Sequence, residues 1–513
     1  MLSGESREPK RILALCFKVD ATKNLRSRTI QRCGERLAQR FDAFTFHGFA
    51  KSLIDRFRLA IPLQDRPSAD YTVGRSAPPG VISFADMIPL ASKLLAHSPE
   101  IRRAIQWTYS HVFLDEFQDC TDKQYSLVRG LFLGSDVTLT AVGDRNQSIM
   151  QWEKALPKIF DDFIRDFGAK RYDLLINHRS DPYLQYVQNK IVEVIEPARL
   201  VKPIYAEGGS VTIYGFDTSE QEAAALSTSI GKLLEDELVP PREVAIIVRK
   251  ADLIDPLHRS LQAAGIPVRD ETDGFQDVLA EPISEAILAW FRILLTKDDK
   301  EATRCLLSLA LRVRGIENED DPREIALIKA VNSGKSQFRP KIDHTSSSFE
   351  QFQPALAWLI DSLLQRERIR GTWPQYCQGI WLDKTISELS KGFQSARRRT
   401  AGWLEALDVI EGRTAVRIMT IHKSKGLEFN TVVLMGLEDQ AFFGPIDEEW
   451  CCLFVALSRA KHRIWITATR NRPELDRDRV RSRSRKCNGF YQCLYGAGVL
   501  ESWGKGNTLA IAP

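Results

Sequence analysis

Short apolar runs recur along the chain, separated by longer stretches whose apolar residues return every three or four positions. RILALCF (11–17), HVFLDE (111–116), VTLTAVGD (137–144), YDLLI (172–176), EVAIIVR (243–249), VRIMTIH (416–422) and TVVLMG (431–436) are apolar on both faces and bounded by polar or glycine positions. Strands buried in a parallel sheet and covered on both sides have this pattern. The segments ATKNLRSRTIQRCGERLAQRF and DKQYSLVRGLFL between them carry helical periodicity. Such alternation predicts an α/β fold of doubly wound parallel sheets. Two stretches break the rhythm, about 50–110 and 281–405. Both read as mostly helical insertions, the second with a loop-like polar segment at 332–352.

The length of 513 residues is enough for several domains at about 100–200 residues each. A charged fraction of 27% and an aromatic fraction of 9% exclude wholesale disorder and a fibrous repeat. Net charge is only +4, which neither demands nor excludes nucleic acid, because binding depends on where charge sits. Nine cysteines without a CxxC pair read as reduced thiols rather than a zinc site. No run approaches about 18 uninterrupted apolar residues, so no membrane span is predicted. The first residues lack the long apolar region of a signal peptide, and a cytoplasmic protein is expected. The run RNRPELDRDRVRSRSRK (470–486) opens a basic C-terminal tail, read as solvated, with a nucleic-acid contact left open.

The strongest chemical signal is HVFLDEFQDCTDKQ, an apolar strand ending in Asp115-Glu116. Ligands of α/β sheets bind at that carboxyl edge. A hard carboxylate such as Asp115 suits Mg²⁺, and a second such as Glu116 can orient a water that attacks a phosphate. VTLTAVGDRNQSIMQW repeats the strand-then-turn arrangement and carries Gln147, which could sense a phosphate or the attacking water. Arg179 in LLINHRSD and Arg459 in LFVALSRAKHRIWI place guanidiniums near strand ends, where bidentate phosphate contact is available.

These segments, with TFHGFAKSLI before and VRIMTIHKSKGLEF after, resemble superfamily 1 DNA helicases of the UvrD/Rep type over about residues 11–180, 243–292 and 414–470. The resemblance implies two RecA-like motor domains with helical insertions, here 1–178 and 179–470 followed by the tail 471–513. It implies ATP and Mg²⁺ as cofactors, single-stranded or partly duplex DNA as partner, 3′-to-5′ movement, and a nucleoid-associated enzyme of repair, recombination or defence. Asp115 and Glu116 match the Mg²⁺ and catalytic pair, Gln147 the γ-phosphate sensor, and Arg179 and Arg459 the two arginine fingers. His178 stands at the adenine-stacking position, where the family usually has tyrosine. Gly426 and Glu428 match the motif linking ribose to DNA. Phe17, Thr45, Phe46, His47, Trp152 and His422 match DNA-contacting positions, with Phe46 and Trp152 expected to stack on bases. Outside the resemblance, His47 and His422 read as hydrogen-bonded core or loop histidines and Trp152 as a packing residue.

Two departures stand out. The GxxxxGK[ST] loop that the family places before the first DNA motif has no counterpart, because RILALCF begins at residue 11. Gly334-Lys335-Ser336 follows a helical pattern inside the insertion and does not replace it. The expectation is an N-terminally incomplete first domain or a wrongly chosen start. About 30–40 residues of strand, loop and helix would restore it. The chain as given is expected to be defective in ATP hydrolysis. Near the DNA motifs, Asp20, Met150 and Glu153 replace usual basic and aromatic positions, which weakens phosphate contact. The alternatives are a non-catalytic DNA-binding or regulatory subunit, or half of a motor completed by a second polypeptide.

Overall fold

The computed structural model describes residues 8–17, 19–69, 71–74, 81–149, 156, 158–174, 176–197, 208–272, 275–279, 281–316, 321–373, 376, 380–473 and 486–503. Trp152, with Met150, Glu153 and the basic run Arg477–Arg485, lies outside the described residues. The chain divides into two compact units. The first comprises Met1–Asp144, Glu153–Arg171 and Phe275–Leu407, and the second comprises Arg145–Trp152, Tyr172–Gly274 and Asp408–Pro513.

In the first unit the described strands are β1 (Arg11–Cys16), β2 (Phe41–Thr45), β3 (Thr72–Gly74), β4 (Val81–Ser83), β5 (Tyr109–Leu114) and β6 (Thr138–Ala141). Four of them form a parallel sheet in the order β2-β1-β5-β6, and β3 pairs with β4 separately. β1 is buried from Ile12 to Cys16, as its two apolar faces require. Its first residue fastens the neighbouring strand. Arg11 Nε and Nη2 donate to the two oxygens of Asp42 at 2.6 and 2.7 Å, and Tyr109 adds a third hydrogen bond at 3.2 Å. Helix α1 (Val19–Ala38) joins β1 to β2, and α2 (Phe46–Phe57) follows β2. The helix Asp122–Phe132 opens on a reciprocal cap between Thr121 and Gln124. Such a cap contributes about 1 kcal/mol.

The helical segment expected as an insertion of the second motor domain packs with the first unit. Its helices Pro282–Leu295 and Lys300–Arg314 bring Glu285 and Arg312 to a cleft shared with Arg11 and Asp42. Its own core is aromatic, with Phe291 stacked on Phe393 at 5.2 Å and Phe352 edge-on to Trp403 at 4.9 Å. The expected loop at 332–352 is partly helical, because the helix Pro322–Phe338 runs through it. Gly334 packs there against the Trp358 ring, leaving no room for a Cβ. Gly334-Lys335-Ser336 therefore lies inside a helix and is not a phosphate loop.

The second unit is built on β7 (Ser210–Thr218), β8 (Val244–Val248), β9 (Val268–Asp270), β10 (Val416–Thr420), β11 (Phe429–Met435), β12 (Ala460–Asn471) and β13 (Leu500–Trp503). They form one parallel sheet in the order β13-β7-β12-β11-β8-β10-β9. Every residue of β8 is buried. The segment YDLLI, expected as a strand, has no ladder partner among the described residues. Tyr172, Leu174 and Ile176 are 82%, 83% and 73% exposed. An apolar run without a neighbouring strand leaves its backbone groups to water, and alternation alone does not make it a strand.

A buried charge cluster joins residues that follow β7, β11 and β12. Arg472 donates from Nη2 to Glu222 Oε2 at 2.6 Å and from Nη2 and Nε to Glu438 at 2.8–3.1 Å. Two carboxylates share one guanidinium away from water. Burial raises the Glu222 carboxyl to about 7; Arg472 opposes that rise and the neighbouring charge of Glu438 adds to it.

Two stability predictions follow from these contacts. Glu222 has a higher pKa folded than unfolded, so its contribution is present at acidic pH and disappears as pH rises through about 7. Between pH 5 and pH 8 the protein is expected to lose about 2 kcal/mol that a Glu222→Gln variant keeps, as read by urea unfolding at the two values. At Gly143, a Cβ would stand 2.1 Å from Gln118 Oε1 and 3.0 Å from Phe117 N. Gly143→Ala is expected to cost about 1–3 kcal/mol in the same assay.

Candidate functional site

The carboxyl edge of the first sheet collects one set of sequence-selected residues. β1, β2, β5 and β6 run parallel, so the residues that follow them emerge at the same edge. Phe17 follows β1, Thr45 ends β2, Asp115-Glu116 follows β5, and Val142–Asp144 follows β6. The chain is pinned there by main-chain bonds, Asp115 N to Leu15 O and Phe117 N to Val142 O, both 2.9 Å. Glu116 adopts a left-handed conformation, φ 51°, ψ 41°, which costs a non-glycine residue about 1–2 kcal/mol. Its Oε2 accepts from Gln118 Nε2 at 2.6 Å, while Gln118 Oε1 accepts from Asp144 N at 3.0 Å. Gln118 thus ties the carboxylate turn to the end of β6. Burial, followed by the charges of Asp115 and Glu116, pushes the Cys16 thiol far up, which keeps it protonated and inert.

Thr45 caps α2 by accepting from Gly48 N at 3.0 Å. His47 stands edge-on to Phe84 at 6.0 Å, and burial lowers its pKa, so it is neutral at pH 7. Phe46 is only 3% exposed and belongs to the hydrophobic core. The expectation that it stacks on bases is corrected here, since its ring is consumed in packing the first turn of α2.

The second unit holds the other set. Arg459 lies just past the helix Ile446–Leu457 and is 1% exposed. It donates from Nε to Val455 O (3.0 Å), from Nη1 to Leu427 O (3.3 Å), and from Nη2 to Ser458 Oγ (2.8 Å) and Gln147 Oε1 (3.0 Å). Lys425 Nζ donates to Gln147 O at 2.8 Å, and His422 Nε2 to Ile149 O at 3.2 Å. Arg179 donates to Glu428 Oε2 at 3.0 Å and to Ser458 O at 3.1 Å. Burial works to raise the Glu428 carboxyl, but the hydrogen bond and charge of Arg179, with Lys461, hold it below the ordinary range. Gly426 has φ 83° in the turn between Lys425 and Leu427. His178 is exposed beside Arg179.

The site residues therefore form two sets, one on each unit. Gln147, Arg179, Glu428 and Arg459 join one hydrogen-bonded network, with His422 and Lys425 holding the same 147–149 segment. Sequence reading missed Gln118, Lys425 and Ser458. Each sits inside a recognised motif string, but its role depends on contacts with another segment. Among the described residues, no group of three or more His, Cys, Asp or Glu side chains could hold a metal ion by itself.

Comparison with known proteins matches two successive parts of the chain, with Gln147 in the first match and residues 275–330 in the second. Residues 71–168 match the UvrD/REP helicase N-terminal domain, and residues 172–330 and 402–471 match the UvrD-like helicase C-terminal domain. The chain is 26% identical over 446 residues to ATP-dependent DNA helicase Rep of Escherichia coli (strain K12), covering 76% of this chain and 65% of that protein. It is 25% identical to DNA helicase II of the same strain, covering 77% and 60%. It is also 25% identical to the putative ATP-dependent DNA helicase YjcD of Bacillus subtilis (strain 168), covering 78% and 56%. The chain thus spans rather less than two thirds of the length of these relatives. Two successive matches to one family enclose Asp115, Glu116, Gln147, Arg179 and Arg459 in order, and the chain belongs to the UvrD/Rep helicase family.

Proposed function

We propose that the chain is the motor of an ATP-dependent DNA helicase or translocase, acting on single-stranded or partly duplex DNA and moving 3′ to 5′ in repair, recombination or defence. It would work in the cytoplasm at the nucleoid. The observation that carries this reading is the network joining Gln147, Arg459 and Arg179. A glutamine and two guanidiniums tied together through Ser458 suit a device that registers one phosphate group and passes its presence on.

The donor set suits Mg²⁺ that arrives with a nucleotide. Asp115 and Glu116 are hard carboxylates at a sheet edge, and Mg²⁺ takes one or two such ligands beside phosphates and waters. Bound there, the ion would neutralise phosphate charge. Asp115 would hold it, and Glu116, fixed by Gln118, would orient the attacking water. Arg179 and Arg459 would stabilise charge that develops on the phosphate, and His178 would meet the base. Gly426 and Glu428 would link the ribose side to DNA. Thr45 at the N-terminus of α2, with Phe17, His47, His422 and Trp152, would contact the strand.

The sequence holds no GxxxxGK[ST], so the proposal includes a defect: these 513 residues alone turn over ATP at about background rate. The purified chain is expected to bind oligo(dT) with an affinity that falls as salt rises. A fused strand–GxxxxGK[ST]–helix segment is expected to confer DNA-stimulated ATP hydrolysis. Glu116→Gln should then reduce that hydrolysis roughly 10²–10⁴-fold. Absence of oligo(dT) binding at low salt, or hydrolysis that survives Glu116→Gln, overturns the reading. DNA binding without hydrolysis in the fused protein leaves the non-catalytic DNA-binding subunit as the answer.

A further inference from the structure

The first unit contains a cleft of about 870 Å³ that the site above does not use, apart from Thr45 at one end. All five residues of the edge strand β2, Phe41–Thr45, line it, together with residues of α1, α2 and the helix Lys300–Arg314. Besides Arg11, which is paired with Asp42, four arginines reach it: Arg26, Arg56, Arg304 and Arg312. Among the described residues, none of these four guanidiniums has a hydrogen-bonded or ion-paired partner. Elsewhere in the molecule Arg11, Arg179, Arg249, Arg417 and Arg472 pair with carboxylates.

Several acids of the cleft are already engaged. Asp42 takes both hydrogen bonds of Arg11. Glu281 accepts from Tyr376 at 2.6 Å and from Trp381 at 3.2 Å, and Glu285 accepts from Cys305 Sγ at 3.4 Å. The Trp373 indole N–H, in the same lining, has no acceptor. Burial, and next the charge of Arg26, lower Arg312 to about 10. Burial also lowers Arg26, against the opposing charges of Glu285 and Asp42. Donors therefore outnumber acceptors in a half-buried place, where two like charges repel and an anion would relieve both. Phe44, Leu53 and Phe57 give the cleft apolar wall between the cations. Guanidiniums match the planar two-oxygen face of a phosphodiester, and apolar and aromatic wall suits bases of any sequence.

We propose that this cleft binds the sugar–phosphate backbone of single-stranded DNA, with Arg26 and Arg312 as phosphate ligands and Arg56 and Arg304 at its rim. The proposal rests on the DNA reading above and extends the DNA surface along β2 to residues that no motif includes. An acidic extended peptide adding to the β2 edge is the competing occupant.

The test uses the full chain and fluorescein-labelled oligo(dT), with anisotropy titrations at several NaCl concentrations. Arg26→Ala/Arg312→Ala is expected to weaken binding roughly tenfold or more at low salt. It should also flatten the log–log salt slope by about 1.4, two phosphates at about 0.7 each. Arg26→Lys/Arg312→Lys should keep most of the slope, since point charges remain. Arg304→Glu, at an exposed position, gives a second reading with little demand on folding and should also weaken binding. Parent-like affinity and slope in both the alanine double variant and Arg304→Glu overturn the assignment while leaving the DNA reading intact. A parent chain that binds no oligonucleotide overturns both. If a labelled poly-glutamate peptide, and not the oligonucleotide, loses binding in the variants, the cleft takes an acidic protein segment and the proposal fails.

Discussion

A guanidinium taken almost wholly out of water must find acceptors for its N–H groups inside the protein, or the fold pays for a stranded charge. Arg459 finds them in the carbonyls of Val455 and Leu427, in Ser458 Oγ and in Gln147 Oε1. One carbonyl belongs to the last turn of the helix Ile446–Leu457, where helix dipoles already favour a cation. The other precedes β11. The glutamine comes from a segment far away in sequence. Meeting the hydrogen-bonding demand of this one side chain therefore sets the relative positions of three stretches of chain. Ser458 carries the link to Arg179, and Arg179 carries it to Glu428.

The first unit answers a different constraint. Parallel strands deliver their following residues to one edge, so chemistry there is assembled by register and not by sequence proximity. Leu15 lies beside Leu114, and Leu114 beside Ala141, and the polar turns after them come together. The turn bearing Glu116 is bought with a left-handed residue. It is held by Gln118, whose amide spans from the carboxylate to the backbone of Asp144. Gly143 is glycine because that amide lies where a Cβ would be.

Much of the sheet architecture was legible, and the exceptions have physical causes. β1, β5, β8, β10 and β11 announce themselves as apolar runs because both faces are largely covered; β6 reads the same way, though it ends its sheet among the described residues and no residue of it is buried. β2 did not, because Asp42 interrupts it, and only the structure shows that carboxylate neutralised by Arg11. After Ala460, β12 continues with Lys461, His462 and Arg463, each paired with an acid from elsewhere in the chain, so its start reads as polar surface. YDLLI erred the other way, since a strand pattern is only an offer of pairing. The site residues came from motif resemblance, which identifies positions but not orientation. Phe46 fits the motif and faces the core. The grouping of the helical segment with the first unit depends on side-chain packing around β2, which no local pattern encodes.

The turn at Gly426 constrains chemistry in another way. Its φ of 83° lies where L-residues are strained, yet nothing stands within 4 Å of where a Cβ would be built. The requirement for glycine there is therefore one of handedness and not of space. A D-alanine introduced by chemical ligation would favour that φ and reduce the freedom of the unfolded chain. L-alanine, with identical volume and polarity, would take up the same φ only at a strain of about 1–2 kcal/mol. The link between Lys425 and Glu428 thus discriminates between two side chains that differ in chirality alone.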